Sequence, residues 1–339
     1  MAAKVVLTFA PAETHIDEEA LRQGGAEFQI KSCGLNEDEL IGVGGDADVL
    51  IVLGVQPFTR RVLESFEKCR MLAVLGIGYD GVDVGVATEL GICVSNNPYY
   101  CLDEVSDHAM TLLLACARKI TRVDRAVRGR QWRTLTDDIH RDVMPPVYRN
   151  RGRTLGIIGF GSIGRTLVPK AKGFGLRVIA CDPYVAASLG RALGVEMVDL
   201  DTLLAESDFI TVHAALTAQN RHLLGIDQFR RMKPTAYLIN TSRGGVIDEE
   251  ALCTALSRGY IAGAGLDVTE QEPLALDSPL LDMENVILTA HTAYFSNEAQ
   301  VELWGWPVEE TLRMLRGEWP QALVNPNVKD NFSRRWRKI

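Results

Sequence analysis

The chain has 339 residues, 47% of them hydrophobic and 24% charged, a balance that excludes collagen-like, coiled-coil and disordered classes. Its length predicts about two domains, and no apolar run approaches the ~18 residues of a membrane span. A net charge of −8 argues against nucleic acid as the main partner.

The start, Met1-Ala2-Ala3-Lys4 before Val5-Val6-Leu7, lacks a signal-peptide core and reads as an opening strand. From there short apolar runs alternate with longer helical stretches. Strands are expected at Lys4–Thr8, Asp48–Leu53, Met71–Leu75, Ile92–Ser95, Thr154–Ile158, Arg177–Cys181, Phe209–Val212, Ala236–Asn240, Ala262–Leu266 and Val286–Thr289. Several are continuously apolar, as strands covered on both faces are. The alternation predicts α/β architecture: two Rossmann-like or flavodoxin-like doubly wound parallel sheets with a cleft between them. A long buried helix is expected from Val105 to about Arg130, and Thr134–Asn150, with Pro145-Pro146, reads as a loop. A helix from Ser296 to Arg316 should restart or kink at Gly305 and Pro307. The basic tail 331–339, with Arg334-Arg335-Trp336-Arg337-Lys338, reads as a frayed terminus. Seven scattered cysteines (Cys33, Cys69, Cys93, Cys101, Cys116, Cys181, Cys253), none spaced C-x-x-C, predict reduced thiols, a cytoplasmic setting, and neither a metal site nor a disulfide framework.

The pattern G-x-G-x-x-G occurs twice. The copy Gly159-Phe160-Gly161-Ser162-Ile163-Gly164 follows a strand, opens a helix, and precedes the strand Arg177–Cys181, which Asp182 closes. That is the layout a dinucleotide needs: a tight turn, close backbone approach to the pyrophosphate, and close helix packing. Asp182 would accept hydrogen bonds from ribose hydroxyls and repel a 2′-phosphate, so NAD is the expected cofactor. The other copy, Gly76-Ile77-Gly78-Tyr79-Asp80-Gly81, is followed by a strand ending in Asn96-Asn97, with no acid for a ribose. It is either a structural turn or a nest for a smaller anion such as a carboxylate.

Three segments in the second half carry chemistry at strand carboxyl ends, where α/β sheets place ligands. They contain Arg243, then Asp267 with Glu272-Pro273, then His291. With these residues and the second glycine loop, the chain resembles the D-isomer-specific 2-hydroxyacid dehydrogenase family from the Gly76 loop to about Asn327. In detail it looks closest to the branch of the C-terminal-binding-protein corepressors. That likeness rests on Asp103-Glu104-Val105-Ser106-Asp107-His108-Ala109 and His291-Thr292-Ala293-Tyr294-Phe295-Ser296.

The resemblance implies an NAD-dependent 2-oxo-acid reductase. Arg243 would bind the substrate carboxylate and 2-oxo group, His291 would be the acid/base, and Glu272 its partner. A guanidinium stabilises developing alkoxide charge, an imidazolium quenches it, and a neighbouring carboxylate favours the imidazolium. The cofactor set would be Gly159, Gly161, Ser162, Ile163, Gly164, Asp182, Pro183, Thr217, Thr241 and Asp267, the last holding the nicotinamide carboxamide. Gly76, Ile77, Gly78 and Tyr294 would complete the substrate set, Tyr294 standing where corepressors carry a tryptophan. His108 is a rival acid/base, although a helix pair with Glu104 explains it more simply. Val74 stands where many relatives have an arginine, which weakens phosphoglycerate as substrate, and Ala215 replaces a common loop proline. Trp132 resembles a position that inserts into a partner subunit, so a homodimer is expected.

The expected domains are 1–101 with 296–330 for substrate and 102–295 for NAD, with hinges near 101 and 296. A competing class is an NAD(H)-sensing scaffold that recruits partners. Formate dehydrogenase fits less well, because it pairs its histidine with glutamine.

Overall fold

The computed structural model describes residues 2–9, 15–132, 143–144 and 146–336. It divides into two compact units, Met1–Tyr100 with Ser296–Ile339 and Cys101–Phe295. The first holds a parallel five-stranded sheet ordered β2-β1-β3-β4-β5. Its strands are β1 (Ala3–Leu7), β2 (Ala26–Ile30), β3 (Val49–Leu53), β4 (Met71–Leu75) and β5 (Cys93–Ser95). Alternate side chains feed two cores: Val6, Leu50, Val52, Leu72 and Val74 on one face, and Val5, Leu7, Val49, Ile51 and Met71 on the other. Both faces are therefore dry, and helix Asn297–Leu315 covers the second with Trp304, Val308 and Met314.

The second unit holds a parallel seven-stranded sheet ordered β12-β11-β10-β9-β6-β7-β8. Its strands are β6 (Thr154–Ile158), β7 (Arg177–Cys181), β8 (Glu196–Met197), β9 (Phe209–Val212), β10 (Tyr237–Asn240), β11 (Gly263–Leu266) and β12 (Val286–Leu288). Helix Leu102–Arg118 lays Ala109, Leu112, Leu113 and Cys116 against one face. Strand order reverses between β6 and β9, and their carboxyl ends form the switch point at which such sheets take ligands.

Several expectations need correction. The strands missing from the expected set are β2 and β8; each lies at one edge of its sheet, where Glu27, Gln29 and Glu196 break the apolar run that marks an interior strand. The long helix from Val105 is two, Leu102–Arg118 and Ile120–Arg128. Lys119, at φ 53°, separates them by turning its backbone left-handed. Helix Asn297–Leu315 runs through Pro307 without restarting; Pro307 is buried, and Asn97 Nδ2 donates to the Glu302 carbonyl in the turn before it.

The basic tail is not frayed as far as Trp336. Helix Lys329–Trp336 buries Phe332 edge-on against Trp319, and Trp336 Nε1 donates to the Gly91 carbonyl. Arg335 donates to the carbonyls of Leu90 and Phe66. This segment belongs to the first unit. Arg337 and Lys338 lie outside the described residues, as does most of the loop expected over Thr134–Asn150. The seven cysteines are all free. Burial pushes the thiols of Cys69, Cys93 and Cys116 up to about 12, which makes them inert packing groups.

Candidate active site

The glycine loop after β6 is built for close approach. Gly159 has φ 87°, and a Cβ there would lie 2.6 Å from the Ala214 nitrogen and 2.7 Å from the His213 carbonyl carbon. A Cβ on Gly164 would lie 2.6 Å from the Gly159 carbonyl oxygen, so that glycine lets the helix meet the turn. Gly161 differs, because a Cβ there meets nothing within 4 Å. It faces the open space that an incoming phosphate would fill. Helix Ser162–Gly173 starts there without a side-chain cap, which leaves the amides around Ser162 and Ile163 to an anion.

Asp182 closes β7 and braces this loop. Its Oδ2 accepts from Phe160 N–H at 2.8 Å and its Oδ1 from Tyr184 N–H at 2.9 Å. Each oxygen keeps a lone pair for a ribose hydroxyl. Pro183 beside it is exposed. At the end of β10, Thr241 is 8% exposed and its Oγ1 is buried without a hydrogen-bond partner. An orphaned hydroxyl at a strand carboxyl end fits a ligand group that completes it. Thr217 lies in an exposed turn closed by Asn220 Oδ1. The donor set thus fits a dinucleotide.

The chemistry-bearing side chains meet at the ends of β10, β11 and β12. His291 Nδ1 lies 2.7 Å from Glu272 Oε2, and both side chains are partly open to solvent. Burial pushes the Glu272 carboxyl up, but the His291 hydrogen bond and charge, the Thr269 N–H and Arg243 outweigh it and hold Glu272 below its ordinary value. Glu272 also precedes a cis peptide to Pro273. The Arg243 carbonyl accepts from Asn240 Nδ2 at 2.9 Å, and its guanidinium donates to the Ser242 carbonyl at 2.8 Å. Gly244 packs so tightly that a Cβ would lie 2.0 Å from the Thr269 carbonyl carbon. The loop carrying Arg243 and the loop carrying Glu272 are therefore one packed unit.

Asp267, 2% exposed, is the hub beneath them. Its Oδ1 accepts from Thr289 Oγ1 and Thr292 N–H, its Oδ2 from Ala293 N–H, and its carbonyl from His291 N–H. These bonds hold His291 at φ 53°, a left-handed conformation rare for a non-glycine residue. The family resemblance implies that Asp267 faces the nicotinamide carboxamide; its grip on the His291 turn has no signal in the sequence. His108 is not explained by Glu104 alone: its Nε2 lies 3.0 Å from Thr289 Oγ1 and 3.6 Å from Asp267 Oδ1. Tyr294 packs edge-on to Phe295, itself 60% exposed.

In the first unit, Gly76 has φ 108°. Its carbonyl accepts from Asn97 N–H, and the Ile77 carbonyl accepts from Asn96 Nδ2. The N–H groups of Ile77 and Gly78 donate to no protein acceptor among the described residues. Val74 is 1% exposed in the core, so the position that carries an arginine in many relatives offers no cation here. Among the described residues no cluster of His, Cys, Asp or Glu is arranged to hold a metal ion, and no helix is long and apolar enough to cross a membrane.

Comparison with known proteins agrees with this geometry. Residues 110–293 match the model of the D-isomer specific 2-hydroxyacid dehydrogenase NAD binding domain. A glyoxylate reductase of Korarchaeum cryptofilum is 44% identical over 283 residues, 84% of each chain. A D-3-phosphoglycerate dehydrogenase of Methanocaldococcus jannaschii is 40% identical over 93% of this chain and 58% of that protein. The crystal structure of a glyoxylate reductase from Paecilomyes thermophila superposes with a TM-score of 0.85 at 28% identity over 95% of this chain and 98% of that one. The chain belongs to the D-isomer specific 2-hydroxyacid dehydrogenase family and is an NAD-dependent oxidoreductase.

Proposed function

We propose that the chain reduces small 2-oxo acids of the glyoxylate and hydroxypyruvate kind with NADH. The carrying observation is the His291–Glu272 pair at 2.7 Å on a loop packed against that of Arg243. When bound, the nicotinamide supplies the hydride. Arg243 takes the substrate carboxylate and steadies the charge that gathers on the 2-oxo oxygen. Because Glu272 engages Nδ1, His291 Nε2 is the nitrogen left to protonate that oxygen. Thr241 and the amides of Gly161, Ser162 and Ile163 hold the cofactor, with Gly159 and Gly164 shaping the turn and Thr217 and Pro183 beside it. Gly76, Ile77 and Gly78 are assigned a carboxylate on the chemistry of their amides, and Tyr294 a place against the substrate side chain. Buried, uncharged Val74 favours a small acid over a phosphorylated one.

The test is NADH oxidation against glyoxylate, hydroxypyruvate and its phosphorylated analogue. Turnover at ~1 s⁻¹ or more with an unphosphorylated acid supports the reading. Preference for the phosphorylated acid would overturn the substrate class.

Asp182 is assigned the adenosine ribose. Asp182→Asn keeps one acceptor for the glycine loop and removes the charge. A hydrogen bond to a charged group is worth ~1.5–3 kcal/mol, so the preference for NADH over NADPH should fall by roughly tenfold or more in fluorescence titrations. An unchanged ratio would place the ribose elsewhere.

The exposed Trp132, 53% accessible, supports a homodimer, and a cytoplasmic setting suits the free cysteines. Sedimentation as a monomer at micromolar concentration would remove the dimer. The corepressor-like stretch from His291 to Ser296 favours a second reading, an NAD(H)-sensing scaffold. Tight NADH binding with every oxo acid inert would shift the weight to it.

A further inference from the structure

We propose that His108 is a positioning residue that acts through Thr289 on Asp267, and through Asp267 on the backbone turn that presents His291. The proposal rests on the reading of His291 as the proton donor. The order of donors follows from counting protons. Thr289 has one hydroxyl hydrogen, and its Oγ1 lies 2.5 Å from Asp267 Oδ1, a carboxylate oxygen that can only accept. That proton is spent on Asp267. The contact of 3.0 Å between His108 Nε2 and the same Oγ1 is then a donation from Nε2–H into a hydroxyl lone pair. The chain runs in one direction, imidazole N–H to hydroxyl oxygen and hydroxyl proton to carboxylate.

The far end of this chain is the turn carrying His291. Asp267 takes the N–H groups of Thr292 and Ala293 on its two carboxylate oxygens and that of His291 on its carbonyl. Three successive amides therefore converge on one residue, and the left-handed His291 backbone is held by that convergence. His108 comes from helix Leu102–Arg118, an element that otherwise packs against the sheet and against helix Ser162–Gly173. It ties that helix to the turn and fixes the Thr289 rotamer that points at Asp267. Without the Nε2–H donor, the Thr289 hydroxyl is free to rotate and the carboxylate loses one of its three close hydrogen bonds.

The test compares His108→Leu, which removes the donor, with His108→Gln, whose Nε2–H₂ can replace it, and with Thr289→Val. At saturating NADH, His108→Leu and Thr289→Val should each lower kcat roughly tenfold, with KM for the oxo acid within about threefold. His108→Gln should recover kcat to within about threefold of the parent. The His108→Leu/Thr289→Val double variant should be no slower than the slower single one, because both cut the same chain. A His108→Leu variant with lowered melting temperature and parental kcat would reduce His108 to packing and overturn the proposal. Additive losses in the double variant would overturn it too. His291→Ala is assayed alongside: if it retains turnover, the reading of His291 fails, whereas an inactive His291→Ala with a fully active His108→Leu sinks only the relay.

Discussion

His291→Ala is expected to lose at least ~10²-fold in kcat for oxo-acid reduction while NADH binding stays within a few-fold of the parent. The side chain is partly open to solvent and pairs with Glu272, so truncation empties no core. What it removes is the proton that neutralises charge on the 2-oxo oxygen as hydride arrives. The cofactor loop lies at β6 and β7 and gains nothing from that ring. Stopped-flow NADH binding beside steady-state turnover separates the two effects. A variant within a few-fold of parental kcat would mean that another group donates the proton.

The acid limb of the same assay follows from Glu272. Its carboxyl is held below the ordinary value of about 4.3, so the carboxylate facing His291 is fully charged above that value and is lost as pH falls through the lower folded one. Reduction should therefore not decline between about pH 7 and 5 on account of this pair. An earlier decline accompanied by unchanged folding would contradict the direction of the shift.

The interior of both sheets could be read from the sequence because a strand covered on both faces is apolar nearly throughout, as Met71–Leu75 and Val49–Leu53 are. Two of the four edges, β2 and β8, could not. Glu27 and Gln29 alternate with Ala26 and Phe28, a weak half-buried signal, and β8 is two residues long. The break at Lys119 is a left-handed residue of a type with no preference for that conformation, so composition says nothing of it. Docking of the basic tail depends on Gly91 and Leu90, far away in the chain.

The site divides along the same line. Arg243, Glu272 and His291 stood out because each follows a strand end and bears a charge or a titratable ring. Thr289 and His108 did not, since a hydroxyl after a strand and a histidine in a helix are ordinary. Their meeting at Asp267 requires the pairing of β11 with β12, in which Leu266 stands beside Leu288. The corepressor likeness was carried by short stretches around His108 and His291, whereas the relatives reported above match across most of the chain and are named as reductases and dehydrogenases.

The packing of Gly244 yields the second large effect. Gly244→Ala should cost on the order of 10²-fold in kcat with the fold retained. The added Cβ would lie 2.0 Å from both the carbonyl carbon and oxygen of Thr269 and 2.4 Å from the Glu270 nitrogen. All three are backbone atoms, so no side chain can rotate aside, and the two loops must separate. Thr269 N–H donates to Glu272 Oε1, so moving Thr269 drags the carboxylate that orients His291. On the opposite side, the Arg243 carbonyl is tied to Asn240, so the displacement also reaches the guanidinium. Overpacking costs ~1–3 kcal/mol, a fraction of the stability of a domain this size, so the variant should still fold. The Gly159 loop does not share this contact, and NADH affinity should stay within a few-fold. Parental kcat with a lowered melting temperature would show that the two loops can part without misaligning Arg243 and His291, and would break the link drawn between them.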